Sequence, residues 1–188
     1  MRHIIEIAVN GNIAGHKREG VGIEGRISPT KDEIREGFRP VLDYRLLKVG
    51  LFEGISFVDD SFSTNVNSAW WALEETGGPI IWIAGGVDKG NNYSVLLSAV
   101  EKKVKAIVAL GRVNDRLRNF FSQDVPVTSD CLLMDEAVMS AMQLAQPGYT
   151  VLLSPACASF DLFTNYEHRS REFRSSVARL ACKSPTSW

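Results

Sequence analysis

Three stretches of this chain set polar or very small side chains directly behind apolar runs, a placement suited to holding a ligand. The first is Asp59-Asp60-Ser61-Phe62-Ser63-Thr64-Asn65, and the second is Gly85-Gly86-Val87-Asp88-Lys89-Gly90. The third runs from Ser154 through Cys157 and Ser159 to Tyr166. Carboxylates, hydroxyls and an ammonium grip a charged, hydrogen-bonding ligand, and paired glycines let backbone approach it closely. Small residues followed by a helix-forming segment bring unpaired N–H groups toward an anion. Each stretch also has a plainer reading. Asp59 to Asn65 suits a helix cap, Gly85-Gly86 a sharp turn, Lys89 a solvated lysine, and Cys157 a small buried thiol.

The three stretches share a location only if strands deliver them to one edge. Strand candidates are Ile55–Val58, Pro79–Ala84, Val104–Leu110, Val125–Thr128 and Thr150–Leu153. Helical spacing falls between them: Val66, Ala69, Trp70 and Leu73; Val113, Leu117, Phe120 and Phe121; Met134, Ala137, Val138, Ala141, Met142 and Ala145. Tyr166, Phe173, Val177 and Leu180 predict a final amphipathic helix. Parallel strands need such crossovers, so the alternation predicts a doubly wound, mostly parallel, Rossmann-like α/β sheet with helices on both faces. Leu46–Leu51 and Ile55–Val58, joined at Glu53-Gly54, predict a hairpin that adds a strand. Residues 1–42 are irregular and glycine-interrupted, with a helix expected to begin near Ser28-Pro29-Thr30. Ligands of open α/β sheets bind outside the carboxyl ends of the strands, where all three stretches fall.

Composition excludes several classes. With 21 Lys+Arg against 22 Asp+Glu, the net charge of −1 gives no pull toward nucleic acid or an anionic membrane. Cys131, Cys157 and Cys182 are an odd number at wide spacing, which suggests neither a disulfide framework nor a zinc site and points to a reducing, cytoplasmic compartment. No segment approaches the roughly 18 consecutive apolar residues of a membrane span. Gly-x-Ser-x-Gly and Gly-x-x-x-x-Gly-Lys-[Ser/Thr] are missing from the sequence, and the glycine-rich segments behind the strand candidates do not make the Gly-x-Gly-x-x-Gly of a dinucleotide fingerprint. Trp70 and Trp71 are expected to be packing residues on their helix.

Taken together, the three stretches resemble the C-terminal domain of the Mur ligases, and within that family its D-glutamate-adding branch. Asp59 to Asn65 is similar to the family's Asn-Asp-Ser-Lys-Ala-Thr-Asn. Ala84 to Gly90 is similar to its Gly-Gly-x-Asp-Lys-Gly. Leu152-Leu153-Ser154-Pro155-Ala156-Cys157-Ala158-Ser159-Phe160-Asp161, continuing through Phe163, Asn165, Tyr166, Glu167 and Arg169, follows the family's signature nearly residue for residue. The resemblance covers about residues 31–182. It implies a tail of the family's central domain at 1–42, a C-terminal, D-glutamate-binding domain at 43–182 and a tail at 183–188.

The resemblance further implies an ATP-dependent amide ligase of peptidoglycan synthesis, in which D-glutamate is joined to UDP-N-acetylmuramoyl-L-alanine through an acyl phosphate. Thr64, Lys89, Ser159, Phe160 and Tyr166 would surround D-glutamate, and Arg45, Asp60 and Asn65 would contact ATP. ATP and magnesium belong to the full-length family enzyme, with neither expected to bind tightly to these residues alone. Departures accompany the match. Phe62 stands where the family has a lysine, Tyr44-Arg45 stands where it has His-Arg, and the P-loop, magnesium ligands and UDP-binding domain have no counterpart in these 188 residues. Phosphoryl transfer depends almost wholly on positioning and electrostatics. The chain alone is therefore expected to be inactive, as part of a larger ligase or as a non-catalytic module that has kept the fold and the pocket.

Overall fold

The computed structural model describes residues 45–128 and 130–183, with side chains to residue 180. The helix expected near Ser28-Pro29-Thr30 and the proposed tails lie outside these residues. The elements, in chain order, are β1 (Leu47–Phe52), β2 (Ile55–Asp59), α1 (Val66–Glu75), β3 (Ile80–Ala84), a 3-10 turn (Tyr93–Leu96), α2 (Leu97–Lys103), β4 (Val104–Ala109), α3 (Asp115–Phe121), α4 (Met134–Leu144), β5 (Thr150–Leu153) and α5 (Tyr166–Lys183). The five strands form one sheet in the order β1-β2-β5-β3-β4. β1 runs antiparallel to β2 as the expected hairpin, and the other neighbours are parallel.

Alternation along buried strands splits the core between the two faces. Ile80, Trp82 and Ala84 of β3 meet Ala69, Ala72 and Leu73 of α1, Val100 of α2 and Phe121 of α3. Ile81 and Ile83 point the other way, onto Ala137, Val138 and Ala141 of α4 and Phe173 and Val177 of α5. This is a three-layer α/β/α arrangement. β5 lies between β2 and β3, with Asp59 and Ile83 both opposite Leu153. The loops that leave these three strands are therefore neighbours at one edge, although they are far apart in sequence.

Three sequence expectations change, and one further element joins the fold. Val125–Thr128 is not a strand of the sheet: Val127 makes an isolated parallel bridge to Ile107, with Cys131 bridging Leu110 further along. Pro126 offers its carbonyl to Ile107 at 2.9 Å but has no N–H to donate, so the ladder cannot propagate. Val113 lies before α3 and is exposed. The turn and helix at Tyr93–Lys103 carry no clear sequence signal, because an exposed Val95 and Ser98 blur the apolar period. Trp70 is 41% exposed: the buried stripe of α1 is Ala69, Ala72 and Leu73, which leaves Trp70 outside and Trp71 at its margin.

Candidate functional site

The loop after β2 leads straight into α1. Asn65 is the N-cap, accepting the Ser68 N–H at 3.0 Å. Across the edge, Asn165 precedes α5 and its Oδ1 accepts the His168 N–H at 2.7 Å. Two helix N-termini thus open on the same side, each with the partial positive charge of unpaired N–H groups.

The loop after β3 is an arm laid against the loop after β5. The Gly85 N–H donates to Pro155 O and the Val87 N–H to Ala158 O, both at 2.9 Å, and Val87 and Ala158 form an antiparallel bridge. Such closeness needs glycine. Gly85 and Gly86 have φ of +122° and +124°, and a Cβ on Gly86 would lie 2.4 Å from Ala158 O. Asp88 then folds the tip of the arm into an Asx turn. Its Oδ1 accepts the Gly90 and Asn91 N–H groups at 2.8 Å each, and its Oδ2 accepts the Tyr93 hydroxyl at 3.0 Å. The turn presents Lys89 to solvent, without an ion pair or hydrogen bond among the described residues.

Between these loops lies a cleft of about 460 Å³. Thr64 and Asn65 line it on one side, Lys89 and Asn91 on another, and Ser159, Phe160 and Tyr166 on the third. The five residues expected around D-glutamate are therefore brought together, with Asn65 from the nucleotide set beside them. Phe160 projects at the rim, 69% exposed, while Ser159 is buried. Phe62 meets Tyr166 edge to face at 5.2 Å between ring centres, so it supports an aromatic wall. Asn91 and Asn165 join the lining beyond the expected site residues. Asn91 reaches Ala156 O at 3.1 Å and so links the arm to the third loop, a bond between segments 65 residues apart that a turn-like Gly-Asn-Asn sequence does not announce.

Arg45 and Asp60, expected at the nucleotide, do not line the cleft. They form an ion pair, with side chains 7% and 0% exposed. Asp60 also accepts the hydroxyls of Ser63 and Ser154. Arg45 donates to Ser63 Oγ and Ser68 O at 3.0 Å each and lies 4.5 Å above the Trp71 ring. Both are turned inward because a buried carboxylate needs a cation and a full set of donors.

Beneath the cleft, Arg169 is 1% exposed and joins two loops: Nη2 donates to Ser61 O at 2.9 Å and Nη1 to Cys157 O at 3.2 Å. Burial lowers its pKa to about 10, against the opposing pull of the Cys157 thiol, Asp161, Asp59 and Asp60. Burial likewise pushes the Cys157 thiol up, and the residue is 2% exposed, as suits a packed thiol more than a nucleophile.

Asp59 is held by the Ser61 N–H and the Ser170 hydroxyl, with Arg174 at 3.6 Å. Burial nevertheless pushes its carboxyl above the ordinary 3.8, more than these donors pull it down. A carboxyl whose folded pKa is raised contributes most below the unfolded value, and that contribution is lost as pH rises through the folded one. Asp59→Asn should therefore stand lowest relative to the parent chain near pH 3 and gain on it as the pH climbs above about 4. Urea unfolding at a series of pH values measures this difference, and a flat or falling difference contradicts the burial argument.

No family model matches the chain. It is 41% identical over 177 residues to UDP-N-acetylmuramoylalanine–D-glutamate ligase of Porphyromonas gingivalis, a match covering 93% of this chain and 39% of that protein. The like-named ligase of Cytophaga hutchinsonii is 48% identical over 138 residues, 73% of this chain and 31% of that protein. The chain thus spans about two fifths or less of the length of these relatives. Among solved structures, E. coli FolC in complex with ADP superposes with a TM-score of 0.50 at 14% identity, covering 83% of this chain and 37% of that one, a likeness of fold.

Proposed function

We propose that this chain, which belongs to the Mur ligase family and carries its C-terminal α/β domain, is the D-glutamate-binding part of an ATP-dependent ligase that joins D-glutamate to UDP-N-acetylmuramoyl-L-alanine in peptidoglycan synthesis. On this reading residues 1–42 are the tail of the family's central domain, and 43–182 form the binding domain. The observation that carries the proposal is the convergence of Thr64, Lys89, Ser159, Phe160 and Tyr166 on one cleft. The chemistry of that set supports a small dicarboxylate. Lys89 and the two helix N-termini attract carboxylates, and the Thr64 and Ser159 hydroxyls exchange hydrogen bonds with them. Phe160 and Tyr166 cover methylene groups and keep water away from the polar contacts. The Lys89 cation, the Thr64 hydroxyl, and the aromatic wall with the Ser159 hydroxyl come from three different loops, and contacts from several directions are what discrimination between the mirror images of glutamate requires.

The described residues do not by themselves fit a magnesium nucleotide. No group of three or more His, Cys, Asp or Glu side chains among them could hold a metal ion, and the nucleotide candidates Arg45 and Asp60 are committed to each other. No phosphoryl step is assigned to them, and ATP, magnesium and UDP-N-acetylmuramoyl-L-alanine are partners of the larger enzyme. Phe62 supports a second reading, a binding module that keeps the pocket without ATP chemistry, since its ring packs edge to face on Tyr166 and supplies no cation at a position where the resemblance expects a lysine. A cytoplasmic location accompanies either reading, as the compartment of ATP and nucleotide-linked sugars. Among the described residues no helix is long and apolar enough to cross a membrane.

Calorimetric titration with D-glutamate tests the pocket. Lys89→Ala and Ser159→Ala are each expected to weaken binding about tenfold or more, and affinity indifferent to both would sink the assignment. The 188-residue chain, given ATP, magnesium, UDP-N-acetylmuramoyl-L-alanine and D-glutamate, should release phosphate no faster than a protein-free control. Release above that background would refute its inactivity.

A further inference from the structure

A second cleft, of about 440 Å³, lies on the opposite side of the Gly85–Asn91 arm. Its lining includes Asp88, Tyr93 and Arg116, and it shares Val87 with the first cleft. Its basic groups are already engaged. Arg112 donates to the side chain and carbonyl of Asp161, at 3.1 Å from its N–H and 3.0 Å from Nε. Arg116 donates to Asp88 Oδ1 at 2.8 Å and to Asn91 O at 3.0 Å.

The Arg116 pair is informative because of what lies between its two acceptors. Asp88 and Asn91 bracket Lys89 and Gly90, so one guanidinium from α3 grips both ends of the turn that carries the Lys89 ammonium. A planar fork can hold two acceptors in a fixed relation, which a lysine in its place cannot. The Arg116 side chain is 56% exposed and that of Asp88 14%, so the clamp costs little desolvation and adds little to global stability. We propose that Arg116 is a positioning residue for Lys89: from outside the cleft it fixes the Asp88–Asn91 turn, and thereby sets where the ammonium stands relative to Ser159 and Thr64.

The ligand arm of this proposal rests on the D-glutamate reading, whereas the turn-ordering arm does not. Arg116→Gln removes the charge and the fork. Hydrogen exchange at the Gly90 and Asn91 amides, which donate to Asp88, is expected to accelerate about tenfold, while the amides of Ile83 and Leu153 in the sheet keep their protection. Arg116→Lys should fall between the two. D-glutamate affinity should weaken about three- to tenfold in Arg116→Gln, and the same substitution in a Lys89→Ala background should cause no further loss, because the coupling runs through Lys89. A merely structural arginine would lower affinity equally in both backgrounds. Unchanged exchange at Gly90 and Asn91, or equal affinity losses with and without Lys89, would overturn the proposal. If the parent chain fails to bind D-glutamate, the ligand reading falls, and the exchange measurement alone decides the role of Arg116.

Discussion

Gly86→Ala is expected to destabilise the domain by about 3 kcal/mol, among the larger effects of any single methyl group. The residue holds φ +124°, a conformation that L side chains rarely adopt, and its new Cβ would sit 2.4 Å from Ala158 O and 3.3 Å from the Cys157 Cβ. The nearest atom is backbone, so no side chain can swing away. Relief requires the arm to lift from the third loop, which breaks the 2.9 Å bond from the Val87 N–H to that same Ala158 O. A buried carbonyl then loses its partner. Gly77→Ala is the matched control: beyond its own chain neighbours, no atom of the described residues lies within 4 Å of the new Cβ, and the site is exposed. It should change stability by no more than about 1 kcal/mol in either direction. Urea unfolding of both variants makes the comparison, and indistinguishable midpoints would show that the arm does not need to lie so close.

Arg169→Met should have a comparable effect, again about 3 kcal/mol. The opposing tendency is real, since burying a guanidinium is costly: its pKa is drawn down to about 10, and its Nε has no hydrogen-bond partner among the described residues. Methionine would remove that cost. It would also strand the carbonyls of Ser61 and Cys157 and withdraw a cation from Asp59 and Asp60, both buried. Removing one partner of a buried charge arrangement generally outweighs the desolvation relieved, because the remaining charges stay where they are. Asp60 retains Arg45, whereas the cation left to Asp59 among the described residues is Arg174 at 3.6 Å, so Asp59→Asn should restore part of the loss. Equal stability of Arg169→Met and the parent chain would show that the staple contributes nothing net.

Much of the fold was legible because burial writes its period into sequence. Thr150–Leu153 emerges with the expected bounds, and the hairpin turns at Glu53-Gly54 as its glycine suggested. Trp70 was misplaced because its hydrophobicity matched a helical face whose phase is really fixed by alanines, which hydrophobic pattern weighs lightly. The bridge at Val127 mimics a strand locally, and Pro126 was the cue against extending it. The cleft was legible as three strand ends. What joins them was not: Arg169 to Ser61, Asn91 to Ala156 and Arg116 across the Lys89 turn are contacts between distant segments with no periodicity to betray them. The mutual commitment of Arg45 and Asp60 belongs to the same class, since sequence shows the residue types but not where they point.

Stereoselective binding is the most direct test of the central claim, that the cleft formed by Thr64, Lys89, Ser159, Phe160 and Tyr166 receives D-glutamate. Calorimetric titration of the intact chain with D-glutamate and, separately, with L-glutamate should give binding for the first and affinity about tenfold or more weaker for the second, because inversion at the α-carbon exchanges the positions of the amine and a carboxylate against a fixed cation. Equal affinity for the two, or no detectable heat from either at millimolar ligand, would contradict the account.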